Sequence, residues 1–320
     1  MNENESLIEK ASGTLERALL RKKASNKTWK MLDFSCDASQ SLQDYMQDLE
    51  RELSTLEVHA KAEYLKMLLF DVEMHIRFFS IQGALKRKSL QVEAAHVEQA
   101  FKTFGKPEKC VRSLFRGVDA CLNCQKVTLE NLSVMKQKLL ETRVPEVLDA
   151  GCGWGRISRK LRDYCHGKFV ATGVDLDRPS LQFGKSINRA ANFVVSDVQA
   201  LPFKDKMFDL IICNSVLHEV KTSNGRCMAV QEFSRVSKPA GMLNVTDAFA
   251  KFRVISVLTR ILQHLPGTAE WIFRKSQLEK MLKMNGFRII RTEKASSRFH
   301  GLINVYTFTA IRMPSVADAE

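Results

Sequence analysis

The residues with the clearest chemical meaning sit in one run, Val147-Leu148-Asp149-Ala150-Gly151-Cys152-Gly153-Trp154-Gly155-Arg156. Glycines at alternate positions let a chain turn sharply and let a ligand lie against bare backbone before a helix begins. Coming straight after a short apolar strand and an aspartate, the run reads as a strand end built around a ligand. The dinucleotide pattern G-x-G-x-x-G fails, because Arg156 stands where the third glycine would be, and no Gly-Lys-Ser/Thr follows to make a Walker loop. A second group, Asn214-Ser215-Val216-Leu217-His218-Glu219, sets an imidazole beside a carboxylate. His218 could accept a proton from a nucleophile near neutral pH, and Glu219 could orient it or a substrate donor. Cys121-Leu122-Asn123-Cys124 has the spacing of half a zinc site, with Cys110 eleven residues upstream. A second pair or spaced histidines would be needed to complete it, so these read as free thiols and no metal is expected.

Both chemical groups need rigid elements behind them. After Pro145 the chain alternates short β-rich runs, residues 146–150, 168–175, 191–197, 208–214 and 241–247, with helical runs at 156–165, 178–188 and 225–238. Buried parallel strands joined by crossover helices read this way. Residues 276–285 read as a further helix, and 286–295 and 303–312 as two closing strands. The fold class is therefore α/β, a doubly wound, seven-stranded, mostly parallel sheet with a final antiparallel pair. In such sheets ligands bind beyond the carboxyl ends of the strands.

The first part of the chain has another grammar. No proline precedes Pro107, and Gly13, Gly83, Gly105 and Gly117 are the glycines before residue 145. Leu42, Met46, Leu49, Leu53, Leu56 and Ala60 form one apolar seam at alternating steps of four and three. Residues 1–140 are expected to be an all-helical N-terminal domain, its seam packed on the segment from Tyr64 to Ile81, on Val92, Val97, Phe101 and Phe104, and on a helix opened by Pro107. Residues 141–312 form the α/β domain, and 313–320 a frayed tail.

The 320 residues suffice for two cores, and no apolar run is long enough to span a membrane. The opening MNENESLIEK lacks a signal-peptide pattern and the eight cysteines are irregularly spaced, which together predict a cytoplasmic protein with reduced thiols. The net charge of +13 is uneven: 23 basic against 20 acidic residues in 1–145 (+3), and 26 against 16 in 146–320 (+10). Residues 251–300 hold eleven Lys/Arg and three Glu. Such a field attracts phosphate-bearing partners, acidic small molecules or an anionic membrane surface without choosing among them.

With these motifs in order, residues 146–247 resemble the catalytic domain of class I S-adenosylmethionine-dependent methyltransferases, in particular the type 11 group of quinone and small-molecule methyltransferases. VLDAGCGWG resembles the first family motif; the resemblance implies that Gly151, Cys152, Gly153 and Gly155 lie along S-adenosyl-L-methionine and that Asp149 organises its methionine end. GVDLD resembles the second, implying that Asp175, beside Leu176, receives the ribose hydroxyls. SDVQALPF resembles the third, with Asp197 on the adenine amino group and the Val198 backbone on the ring. FDLIICNSVLHEV and RVSKPAGMLNVTD resemble the remaining two, and place Asn214, His218 and Glu219 at the mouth of the donor pocket. Each has a structural alternative: Asp149 and Asp177 suit helix caps, Asp175 a turn, and Cys152 a packing position. The resemblance further implies that the insert at about 248–275, with Phe252, Ile255, Leu258, Ile261 and Leu262 at helical spacing, is a lid over a hydrophobic acceptor. The expected function is in-line methyl transfer to a small or lipid-like acceptor. An RNA methyltransferase using the basic 251–300 face, or a non-catalytic cofactor-binding scaffold, are the alternatives.

Overall fold

The structure is a computed structural model and describes residues 31–54, 62–104, 144–159, 169–187, 191–252, 272–298 and 302–314. The expectations at Leu56 and Ala60, the helix opened by Pro107, the cysteines 110, 121 and 124, most of the helix at 156–165, the body of the insert (253–271) and the end of the tail lie outside the described residues. The chain divides into two compact units, Met1–Leu122 and Asn123–Glu320.

In the first unit, helices α1 (Cys36–Ser54), α2 (Ala62–Lys86) and α3 (Ala94–Phe104) pack on one another. Ala38, Leu42, Tyr45 and Leu49 recur at steps of four and three and are buried together on α1, so the seam closes within the chain. Tyr45 stacks on Phe101 of α3 with ring centroids 4.3 Å apart. Helix α2 buries residues on several sides, among them Val72, Ile76, Phe78 and Ile81. The free N–H groups at the helix starts are satisfied locally: Ala38 N–H donates to Ser35 Oγ, and Glu93 N–H to His96 Nδ1.

The second unit is a single sheet in the order β3-β2-β1-β4-β5-β8-β7, formed by β1 (Glu146–Ala150), β2 (Val170–Asp175), β3 (Ala191–Val195), β4 (Phe208–Asn214), β5 (Ser237–Ala250), β7 (Phe287–Arg298) and β8 (Ile303–Arg312). Strands β1 to β5 are parallel, and β8 runs antiparallel between β5 and β7. An eighth strand of two residues, β6 (Phe273–Arg274), adds to the seven expected. Strand β5 is longer than expected because it pairs with β8 from Met242 to Ala250, outrunning β4, whose pairing ends at Thr246. Beyond that point β6 takes the edge that β4 leaves, through Phe249↔Phe273 and Ala250↔Arg274.

Helices α4 (Arg178–Ile187), α5 (Ser223–Val236) and α6 (Lys275–Met284) flank the sheet. Leu148, Ile211, Leu243 and Phe308 lie fully buried in its main core, where Phe233 of α5 and Leu278 and Leu282 of α6 join them. At the amino ends of the strands, buried Asp209 accepts from Glu146 N–H at 3.0 Å and Lys238 Nζ at 2.8 Å, fixing the entries of β1, β4 and β5. Arg235 on α5 reaches Leu201 O, Phe203 O, Asp205 and Glu232, which clasps the loop after β3. Helix α4 approaches closely because position 184 is glycine: a Cβ there would stand 2.7 Å from the carbonyl oxygen of Trp154. That neighbour is backbone and cannot swing aside. Gly184→Ala is therefore expected to lower stability by about 1–3 kcal/mol, the usual cost of overpacking, with a matching drop in the urea midpoint; an unchanged midpoint would show that α4 shifts freely.

Candidate functional site

The glycine turn follows β1, at the carboxyl ends of the parallel strands. Gly151, Gly153 and Gly155 have φ of 74°, 54° and 81°, in the left-handed region that other residues enter at a cost. Their surroundings differ. A Cβ on Gly151 would collide with Val216 at 2.2 Å, so this glycine admits the turn after β4. A Cβ on Gly153 would meet nothing within 4 Å, so here bare backbone faces open space. Cys152 fits against Gly173 of β2, where a Cβ would lie 2.7 Å from its sulfur, and burial pushes its thiol well above the ordinary range. It is a packing residue with an inert thiol.

Asp149, 2% exposed, accepts from the N–H and hydroxyl of Ser158 at 3.1 and 2.6 Å in the turn of helix that follows the glycines. Burial, and beyond the Ser158 bonds the nearby charge of Asp175, bring its pKa up to about 6. Asp175 at the end of β2 takes the N–H of Gly153 on Oδ2 at 2.8 Å and the N–H of Asp177 on Oδ1 at 2.9 Å, and burial raises it too. Asp177 accepts from the Ser180 N–H and hydroxyl and so caps α4. Leu176, between them, is 60% exposed, a large apolar side chain beside the open face of the turn. After β3, Asp197 accepts from Gln199 through its N–H and its side-chain amide, while the Val198 side chain is buried in the core.

At the end of β4, half-buried Asn214 precedes Ser215, which sits at φ 59°, an uncommon conformation for serine and a small store of strain. The turn that follows brings the expected pair together with a third residue. His218, 4% exposed, donates through its N–H to Asp247 Oδ2 at 3.2 Å and through Nδ1 to Asp247 Oδ1 at 2.5 Å, while Nε2 lies 3.1 Å from Glu219 Oε1. Burial opposes charging the ring, but the Asp247 carboxylate and then Glu219 more than offset it and hold its pKa well above the usual histidine range. Each ring nitrogen thus faces a carboxylate oxygen. Just beyond, the fully buried Arg226 donates to Val220 O at 2.6 Å and stacks on Phe273 of β6 at 4.8 Å, tying this turn to the strand that ends the insert.

Ser158, Gln199, Arg226 and Asp247 are the neighbours that sequence reasoning did not single out. Asp247 alone carried a signal, as the last residue of a strand in a sheet whose ligands bind at strand ends. The raised pKa of Asp149 makes a prediction about stability. A carboxyl whose folded pKa exceeds its unfolded value binds its proton more tightly in the native state, so it costs stability above about pH 6, by up to about 3 kcal/mol, and the cost fades as pH falls towards 4. Asp149→Asn, which keeps an acceptor for Ser158, is expected to melt higher than the parent at pH 7.5, with the gap closing between pH 6 and pH 4; a gap independent of pH would refute the assignment.

Comparison with known proteins agrees with this geometry. Residues 148–245 match a family model described as a methyltransferase domain. The chain is 35% identical over 117 residues to the malonyl-[acyl-carrier protein] O-methyltransferase of Pseudescherichia vulneris, covering 37% of this chain and 44% of that one. It is 32% identical over 114 residues to the tRNA (carboxymethyluridine(34)-5-O)-methyltransferase of Arabidopsis thaliana, covering 36% and 26%. The matches thus span less than half the length of either relative. The fold is shared with a Galdieria sulphuraria protein named as a sarcosine dimethylglycine methyltransferase, at a TM-score of 0.51 and 15% identity, over 62% of this chain and 88% of that one. Residues 148–245 thus form a domain similar to the catalytic domains of class I S-adenosylmethionine-dependent methyltransferases.

Proposed function

We propose that this chain transfers the methyl group of S-adenosylmethionine to an oxygen of a small or lipid-like acceptor. The observation that carries the reading is Gly153: a left-handed glycine, its N–H on the Asp175 carboxylate, with open space where a side chain would stand. The charges support the same donor. Asp149 and Asp175 are buried carboxylates whose raised pKa values a cationic ligand would relieve, and they sit within a chain of net charge +13. When bound, the donor supplies a methyl group on a positively charged sulfur that a nucleophile can displace directly. The chain's residues would hold it in place: Gly151 to Gly155 along its backbone-facing side, Asp149 towards its amino end, Asp175 on hydroxyls and Leu176, with the Asp197 turn, against its base.

For the acceptor, the names of both relatives specify transfer to oxygen, which supports an oxygen nucleophile here. A lid over an apolar acceptor is supported by the way the insert is anchored. Its first residues leave the end of β5 and its last return as β6 on the same strand, flanked by the apolar cluster of Ala248, Ala250, Ile272, Ala295, Ile303 and Val305. Phe252, where the insert departs, is 49% exposed. Enclosing an acceptor there would exclude water and align it, the two services that transfer from an activated donor requires.

Two measurements test the proposal. Titration calorimetry with S-adenosylhomocysteine, the demethylated donor, should give binding to the parent, a loss of at least about tenfold for Gly153→Ala with the fold retained, and about 1–3 kcal/mol for Asp175→Asn; Gly151→Ala should instead destabilise the fold, because Val216 blocks it. No heat with the parent would sink the donor assignment. Labelled-donor assays across lipid, quinone, thioester and tRNA fractions then distinguish acceptors. Turnover on an apolar acceptor should survive high salt and fall with Phe252→Ala. A steep salt loss concentrated in Arg274→Ala and Arg288→Ala would favour RNA, because each neutralised phosphate releases counterions.

A further inference from the structure

The buried histidine at the carboxyl end of β4 is held more tightly than a proton acceptor should be. Asp247, whose side chain is fully buried, engages it at two separate atoms, and the same Oδ1 that meets Nδ1 also takes the N–H of Ala248 at 2.7 Å. The grip crosses 29 residues of sequence, from the turn after β4 to the carboxyl-terminal part of β5. It acts on a turn that begins at the strained Ser215 and whose own backbone bonds are Ser215 N–H to Thr246 O at 2.8 Å, Glu219 N–H to Val216 O at 2.9 Å and Val220 N–H to Leu217 O at 3.3 Å. Glu219, whose side chain is 24% exposed, is the outermost member of the line Asp247–His218–Glu219.

From this geometry, and resting on the methyltransferase reading above, we propose that Asp247 is a positioning residue: by bonding both the amide and Nδ1 of His218 it fixes the 215–220 turn and directs Nε2 to Glu219, so that Glu219, and not the histidine, is the polar group presented to the acceptor. No bond is made or broken on His218. The acceptor's proton, if it has one, does not pass to the ring.

The charged and titratable groups around the ring are Asp247 from β5, Glu219 from its own turn and, beside Asp247, the Cys213 thiol of β4, which burial first and then Asp247 and Asp149 push well above the ordinary range. The sign of the histidine's shift follows. A histidine raised in the folded state is charged through neutral pH and loses that charge on the alkaline side.

The test uses the full chain with nitrogen-15 histidine, His218 being assigned by its disappearance in His218→Gln. In the parent at pH 7.5, both ring nitrogens should give the signature of the charged ring, and the His218 amide should be protected from exchange. In Asp247→Asn the ring should be neutral at that pH, and amide exchange should speed up by about tenfold or more. In Glu219→Gln the ring should stay charged, because the two bonds to Asp247 remain. Binding of S-adenosylhomocysteine by Asp247→Asn should stay within about threefold of the parent, since the hydrogen bonds of Asp247 go to His218 and Ala248, and those of Asp175 to Gly153 and Asp177. A neutral ring in the parent, a ring still charged in Asp247→Asn, a ring discharged by Glu219→Gln, or a tenfold loss of S-adenosylhomocysteine binding in Asp247→Asn would each overturn the proposal. Should Asp247→Asn fail to fold, the parent and Glu219→Gln decide it alone: a charged ring in both upholds it, and a neutral ring in either refutes it. If the parent binds no S-adenosylhomocysteine, the methyltransferase reading falls, and the ring signals still report on Asp247 separately.

Discussion

The arrangement turns on one carboxylate. Asp175 ends the second strand of the sheet, and each of its two oxygens accepts a backbone N–H from a different segment, Gly153 in the turn after β1 and Asp177 at the start of α4. That bridge matters because glycine loses more freedom on ordering than any other residue, and Gly153 is tied down through it. With it, the turn is held against β2 by three hydrogen bonds, the other two running from Gly151 and Cys152 N–H to Val174 O. The close approach of α4 at Gly184 then completes the wall of the site.

The electrostatics of the site run against those of the chain. The second half carries the basic excess, while the carboxyl ends of β1, β2, β4 and β5 gather Asp149, Asp175, Glu219 and Asp247. Two of these are handled differently. Asp247 is matched by the His218 imidazole and two backbone N–H groups. Asp149 has the Ser158 bonds, and burial still raises it to about 6. Where a buried acid is left partly uncompensated, the missing partner is a cation, and this is a physical reason for the site to prefer a positively charged ligand.

Much of this was legible in the sequence. The glycine spacing, the alternation of β-rich and helical runs and the strand-end acids identified the sheet and the donor side, because each depends on local geometry that residue types dictate. The helix expected at 225–238 lies at Ser223–Val236 because Thr222 supplies its cap and Ser237 is already extended, details that depend on one side chain each. The length of β5 and the presence of β6 depend on pairings with residues far along the chain, which periodicity does not carry. The same holds for the acceptor side. His218 and Glu219 were visible as chemistry, but the ring's hydrogen-bond partner, Asp247, lies 29 residues away.

The pinned ends of the insert have one more consequence. Phe249↔Phe273 and Ala250↔Arg274 hold the departing and returning chain one strand spacing apart, and Arg226 locks the return point by stacking on Phe273. A segment closed at both ends in this way behaves as a cassette. Because strand pairing fixes both junctions, the register of the sheet beneath is set by residues outside the segment they bound. The fold thereby gives a defined pair of junctions at which another segment could be grafted while the glycine turn and the strand-end acids keep their places.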